Sequence, residues 1–163
     1  MKRLAIPLLA AALLFGAVGC GTSTTGSGVS GTTVKAILQS AATSLETALT
    51  LLNVNWATTK FDQDVNATIA AWQVGANWKA QVISLLGPVS ADVSTIACGS
   101  NTKCQSLITI FQGAIQSIIA DLGGTATKAG KRKLPRYDSY AQFKTAWDAE
   151  APPGAQLPVV PGM

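Results

Sequence analysis

The chain has 163 residues, of which 48% are hydrophobic and only 12% are charged, and its formal net charge is +4. It contains no histidine, so it lacks the commonest general base and the commonest zinc ligand, and most familiar hydrolase sites are excluded. Five of the twelve basic residues lie between Lys128 and Arg136, so the positive charge is local and does not provide the positive face that nucleic-acid binding requires.

The first twenty residues have the layout of an exported precursor. Two basic residues precede an uncharged apolar run, Leu4 to Val18, which closes on small residues before Cys20. A run of this length and flanking charge is typical of a secretory signal and is too short for a membrane-spanning helix. The segment Ala17-Val18-Gly19-Cys20 resembles the lipobox of bacterial lipoproteins. The resemblance implies a signal peptide over residues 1–19 and a lipid on the Cys20 thiol; the alternative is an ordinary signal cleaved nearby.

Residues 20–33 consist mainly of glycine, serine and threonine, which predicts a flexible tether. In the lipoprotein class, Asp directly after the lipidated cysteine favours retention in the inner membrane, and Gly21 stands there instead. The resemblance therefore implies a lipid-anchored protein of the bacterial cell envelope, in the outer membrane and facing the periplasm or the cell surface.

Residues 34–123 are predicted to form an all-α bundle of four helices. Apolar residues recur at helical spacing from Val34 to Leu52, with Thr32 or Thr33 as the N-cap. The segment 62–86 carries apolar stripes on two opposite sides, one with Trp72 and one with Trp78. This pattern predicts a helix in the middle of the bundle, and Gly75 offers a point at which it could divide.

Gly87-Pro88 is expected to stop that helix, because proline cannot continue the backbone bonding. A short third helix over 90–97 and a fourth over 101–122 should follow. Cys98 and Cys104 flank the turn between them, and in an oxidising compartment such a pair favours a disulfide. The alternative is two reduced thiols in the core. The outer face of the fourth helix is expected to carry uncharged polar residues, namely Gln105, Thr109, Gln112 and Gln116.

The C-terminal part divides into three segments. Residues 124–137 form a basic linker, which either rests on anionic groups of the envelope or is simply solvated. Its charged residues are Lys128, Lys131, Arg132, Lys133 and Arg136. Residues 138–151 are predicted to form a short amphipathic helix that begins with a capping box of Ser139 and Gln142. The Pro-rich tail, 152–163, is expected to be extended or disordered.

No catalytic, metal or cofactor site is predicted. Asp62 and Asp64 are close in sequence, but two residues apart on a helix they point in different directions. The body from Val34 to Leu122 has nine charged residues in 89, far fewer than the quarter to a third of a usual solvated surface. Helix faces with few charges suit an oligomer or a bundle that is covered by a partner protein. The alternative is that exported proteins commonly have this composition.

Two functions follow as expectations. The first is a non-catalytic helical domain that binds another envelope protein or itself, held at the membrane by its N-terminal lipid. The alternative is a periplasmic carrier or sensor that holds an apolar small molecule within the bundle. Trp72 and Trp78 are its candidate ligand or interface residues, although aromatic residues at helical spacing more often belong to the core.

Overall fold

The computed structural model describes residues 31–125 and 134–160. These residues form five α-helices and no strand, which confirms the predicted all-α bundle with a short C-terminal helix. The helices are α1 (Gly31–Leu51), α2 (Thr59–Ala71), α3 (Trp78–Ser94), α4 (Thr102–Asp121) and α5 (Tyr140–Glu150). None of them is both long enough and apolar enough to cross a membrane.

Helix α1 begins earlier than predicted, at Gly31, so Thr32 and Thr33 lie in its first turn and not before it. Its buried face is the predicted apolar stripe, which includes Leu38, Ala41, Leu45, Ala48 and Leu49. The helix ends where the sequence indicated. Asn53 adopts a left-handed conformation (φ 55°), and the Val54 amide donates to the Leu49 carbonyl, which closes the helix with a glycine-type cap.

The prediction of one helix over 62–86 is wrong. Helix α2 ends at Ala71, and the chain turns back through residues 72–77, where Gln73 (φ 59°) and Gly75 (φ 77°) are both left-handed. Lys60 near the start of α2 binds Asp92 near the end of α3, so the two helices run antiparallel. The alternative of a division at Gly75 is thus confirmed. Each of the two predicted stripes is split between the two helices, and the buried residues are Val65 and Ala71 on α2 and Val82 and Leu86 on α3.

The predicted stop at Gly87-Pro88 is also wrong, because α3 continues through both residues to Ser94. Both residues are exposed, and so is Ser84, whose carbonyl would accept the amide bond that proline cannot make. That carbonyl is therefore free to bind water. Gly87 has no Cβ to collide with the proline ring, which relieves the usual conflict at the residue before a proline. The segment 90–97 is thus mainly the end of α3, and Val89 and Val93 on this helix are fully buried.

Helix α4 is the central helix of the bundle, a position that the sequence assigned to 62–86. It packs against α1, α3 and α5. Gln116, predicted on its outer face, is only 8% exposed, and the neighbouring Ser117 is buried too. Gly113 permits a close approach on this side, since a Cβ there would collide with the Pro135 carbonyl. The chain preceding α5 covers the side of α4 that carries Gly113 and Ser117. On the predicted outer face Gln105 is exposed, and Gln112 donates to the Ser94 hydroxyl at 2.8 Å.

The capping box at the start of α5 is present. The Ser139 hydroxyl accepts from the Gln142 amide at 3.3 Å, and the Gln142 side chain in turn accepts from the Asp138 amide at 3.0 Å.

The described part of the tail, residues 152–160, makes a turn at Pro153 and Gly154 and then continues without regular secondary structure along α5. The buried Trp147 indole donates to the Ala155 carbonyl at 2.8 Å. The Leu157 amide donates to Asp148 at 2.9 Å, and the Tyr140 hydroxyl donates to the Pro158 carbonyl at 2.7 Å. Because these bonds and the buried Leu157 side chain tie it to α5, the tail forms one packed unit with that helix.

Candidate interaction surfaces

Several predicted site residues lie outside the described residues. Cys20, with its proposed lipid, is one of them. The others are four of the five members of the basic linker: Lys128, Lys131, Arg132 and Lys133. The fifth, Arg136, is exposed, and its guanidinium lies 3.4 Å from Asp138 and 3.9 Å from Asp121. Two carboxylates therefore accompany the described part of this basic segment.

The predicted disulfide is present and joins Cys98 to Cys104, with their Cα atoms 5.6 Å apart. Cys104 is fully buried in the first turn of α4, where the Asn101 side chain accepts from its amide at 3.1 Å. The bond closes a short loop between the end of α3 and the start of α4. In the chain-entropy model a loop of this length contributes about 2 kcal/mol to the free energy of unfolding.

Trp72 and Trp78 do not lie on opposite sides of a helix, as the sequence predicted. They flank the turn between α2 and α3, and their ring centroids are 5.4 Å apart. Trp72 is 6% exposed, whereas Trp78 is half-buried and has the Lys79 ammonium 5.8 Å from its ring centre. Between them, Val74 is 61% exposed. The two rings contact each other, in the place where a ligand was expected.

A small cavity lies between α1, the end of α4 and the start of α5. Its lining residues are Ile37, Ala114, Ser117, Ile118, Asp121, Tyr137, Asp138, Ser139, Tyr140 and Phe143. Its volume is about 40 Å³, which leaves room for only a few water molecules. Neither tryptophan of the proposed ligand site lines it, so the two features are separate.

Charged side chains connect the helices in pairs. Lys60 binds Asp64 on its own helix at 2.7 Å and Asp92 on α3 at 2.8 Å. The Lys60 hydrogen bond lowers the pKa of Asp64. As predicted, Asp62 does not share a partner with Asp64; it faces Glu46 of α1 instead.

The pairing of Glu46 with Asp62 was not predicted, because it depends on how α1 and α2 pack. Burial, reinforced by the hydrogen bond to Asp62 and by its negative charge, raises the pKa of Glu46 from 4.5 to about 7. Across the described residues, no group of three or more His, Cys, Asp or Glu side chains is arranged to hold a metal ion.

The exposed face of α3 is uncharged and built from small residues. Ala80, Ser84, Gly87 and Ala91 recur at helical spacing along it, and all four are exposed. No atom lies within 4 Å of the place where a Cβ on Gly87 would stand. The acidic residue of α3, Asp92, is turned towards Lys60. This face is therefore open, flat and free of charge over about three turns.

Comparison with known proteins gave no match: no family model, curated protein or solved structure is similar to this chain. Its function has to be inferred from its own sequence and surfaces.

Proposed function

We propose that this chain is a lipid-anchored protein of the bacterial cell envelope, whose helical body binds another envelope protein or a second copy of itself and catalyses no reaction. The resemblance of Ala17–Cys20 to a lipobox supports the anchor. The disulfide between Cys98 and Cys104 is consistent with an oxidising compartment outside the cytoplasm.

The observation that carries the interaction is the exposed face of α3, with Ala80, Ser84, Gly87 and Ala91. Small side chains let a second helix approach closely. Because the face has no charge, covering it removes no ionised group from water, and the desolvation cost is low. A solvated surface normally carries many more charges, so this composition favours a covered face.

The carrier hypothesis receives less support. The cavity of about 40 Å³ is far smaller than the 300–1,000 Å³ of usual small-molecule sites. Trp72 and Trp78, the candidate ligand residues, pack against each other. A wider depression of about 680 Å³ lies between α4 and α5, but it is open to solvent and five of its eight lining residues are polar, so it does not enclose an apolar molecule.

The anchor and the interaction can be tested separately. Cys20→Ala should leave an unprocessed or soluble form, and normal cleavage with full retention in the membrane would contradict the lipid anchor.

For the interaction, a photo-crosslinker at position 91 should capture a partner or a second copy in native membranes. Ala91→Glu should abolish the native complex, whereas Ala141→Glu, the same change on the exposed side of α5, should leave it intact. Equal effects of the two changes would contradict the role of α3.

A further inference from the structure

The turn between α2 and α3, residues 72–78, exposes apolar side chains at one end of the bundle. Val74 is 61% exposed, and Trp78 is half-buried with the Lys79 ammonium beside its ring. An aromatic ring with a polar edge, an exposed aliphatic side chain and a lysine are the set of groups that the membrane–water interface favours. We propose that this turn enters the headgroup region of the membrane in which the chain is anchored, with anionic lipids as its partners.

The turn also keeps two unfavourable features. The Trp72 indole N–H is buried and has no acceptor among the described residues, and a buried unpaired donor is costly. Gln73 is left-handed (φ 59°), although a residue with a Cβ disfavours that region. Both features are costs that the rest of the fold has to outweigh, and the turn nevertheless presents Val74 outward. Strain of this kind is concentrated at functional sites and supports the assignment as a second observation.

The position of the turn matches that of the anchor. Ile37 in the second turn of α1 shares a cavity with Ile118 near the end of α4. Gly124, just after α4, is packed beside Ile83 near the start of α3. The start of α1, the turn 72–78 and the end of α4 therefore lie at the same end of the bundle.

The sequence places Cys20 only eleven residues before Gly31, so the chain between them spans at most about 40 Å in any conformation. The inference rests on the proposed lipid anchor in this respect, because the anchor holds this end of the bundle near the bilayer.

The charged residues of the described part of the chain are also divided unequally between the two ends of the bundle. The end with the turn carries three cations and two carboxylates: Lys35, Lys79, Arg136, Asp121 and Asp138. The opposite end carries two cations and five carboxyl groups: Lys60, Lys103, Glu46, Asp62, Asp64, Asp92 and Glu150. The remaining two charged residues, Lys144 and Asp148, pair with each other within α5 and cancel. Both carboxylates at the turn end lie beside Arg136. An anionic membrane surface therefore attracts the turn end and repels the other.

Quenching of tryptophan fluorescence by brominated lipids tests the contact, because bromine on an acyl chain quenches only nearby rings. The full chain is reconstituted in vesicles of phosphatidylethanolamine and phosphatidylglycerol in equal parts, with and without bromine. Trp78→Phe should remove most of the quenching. Trp56→Phe is the matched control, because Trp56 is also half-buried but lies in the α1–α2 connection at the opposite end. It should leave the quenching unchanged.

A second variant guards against misfolding of Trp78→Phe. Val74→Asp changes an exposed side chain, so the helix content should stay the same. It should weaken vesicle binding of the Cys20→Ala chain about tenfold, because burying one valine side chain strengthens binding by a factor of about that size. Flotation with vesicles of the chain that keeps Cys20 measures the lipid anchor independently. Flotation without quenching that depends on Trp78 would overturn the proposal for the turn and leave the anchor standing. If Val74→Asp changes the sedimentation of the protein but not the quenching, the turn mediates self-association. That result would also overturn the proposal.

Discussion

Replacing Pro88 by alanine should stabilise the protein. Proline in a helix interior costs about 3 kcal/mol relative to alanine, because it removes an amide donor and its ring crowds the preceding turn. In α3 the side chain is exposed, so its removal leaves no cavity, and the Ser84 carbonyl can then accept a bond from the new amide. Since Gly87 already relieves part of the crowding, we expect a gain of about 1–3 kcal/mol in the free energy of unfolding.

Thermal unfolding followed by far-ultraviolet circular dichroism measures this gain. For a body of this size, 1 kcal/mol corresponds to roughly 3–6 °C in Tm. Ala91→Ser, an exposed change on the same helix without a proline, serves as the control and should shift Tm only slightly. A Tm for Pro88→Ala equal to or below that of the wild type would refute the reasoning. It would mean that the backbone geometry at Pro88 is needed to place Val89 and Val93 in the core.

Two further changes test stability. Between pH 4.5 and about 7, the folded protein keeps a proton on Glu46 that the unfolded chain has already released. The stability that this proton contributes is therefore complete below pH 4.5 and is lost as the pH rises through 7. Glu46→Gln, which retains an amide donor towards Asp62, should therefore add roughly 1 kcal/mol above pH 7, after allowance for solvent screening, and nothing at pH 4, as measured by denaturant unfolding. Replacing Cys98 by serine and the buried Cys104 by alanine should lower the free energy of unfolding by about 2 kcal/mol with the helix content unchanged; an unfolded variant would show that the disulfide is needed for the fold itself.

The sequence predicts α1, α4 and α5 well because each has one apolar stripe between recognisable ends. The capping box at Ser139 and the disulfide follow in the same way, since they depend on local spacing. The segment from Asp62 to Ser94 fails for a physical reason. Two stripes on one continuous helix and one stripe on each of two packed helices have similar periodicity, and only the left-handed turn at Gln73 and Gly75 separates them. A helical projection across that turn misplaces every later residue, which is why Trp72 and Trp78 were predicted to lie apart.

Other features depend on tertiary packing and have no local signal. Pro88 reads as a helix stop, but an exposed position tolerates it because water can bind the Ser84 carbonyl. The sequence predicts Gln116 at the surface, but this residue is buried, and the chain around Pro135 packs against the same helix, α4. The contact of Glu46 with Asp62 joins two helices whose pairing the sequence did not specify.

The two proposed contacts, taken together, restrict the kind of partner. Helix α3 begins at the turn that is proposed to enter the headgroups, so its uncharged face extends away from the membrane from that point. A partner held in the same membrane meets this face at a greatly increased effective concentration, whereas a freely diffusing partner gains nothing from the anchor. We therefore expect crosslinking from position 91 to depend on anchoring.

With equal total amounts in the envelope, the Cys20→Ala chain should lose most of the crosslinked product, although its α3 face is unchanged. Ala91→Glu in the anchored chain provides the comparison, since it removes the face and keeps the anchor. Undiminished crosslinking of the Cys20→Ala chain would indicate a soluble partner, and the anchor would then serve only to locate the protein.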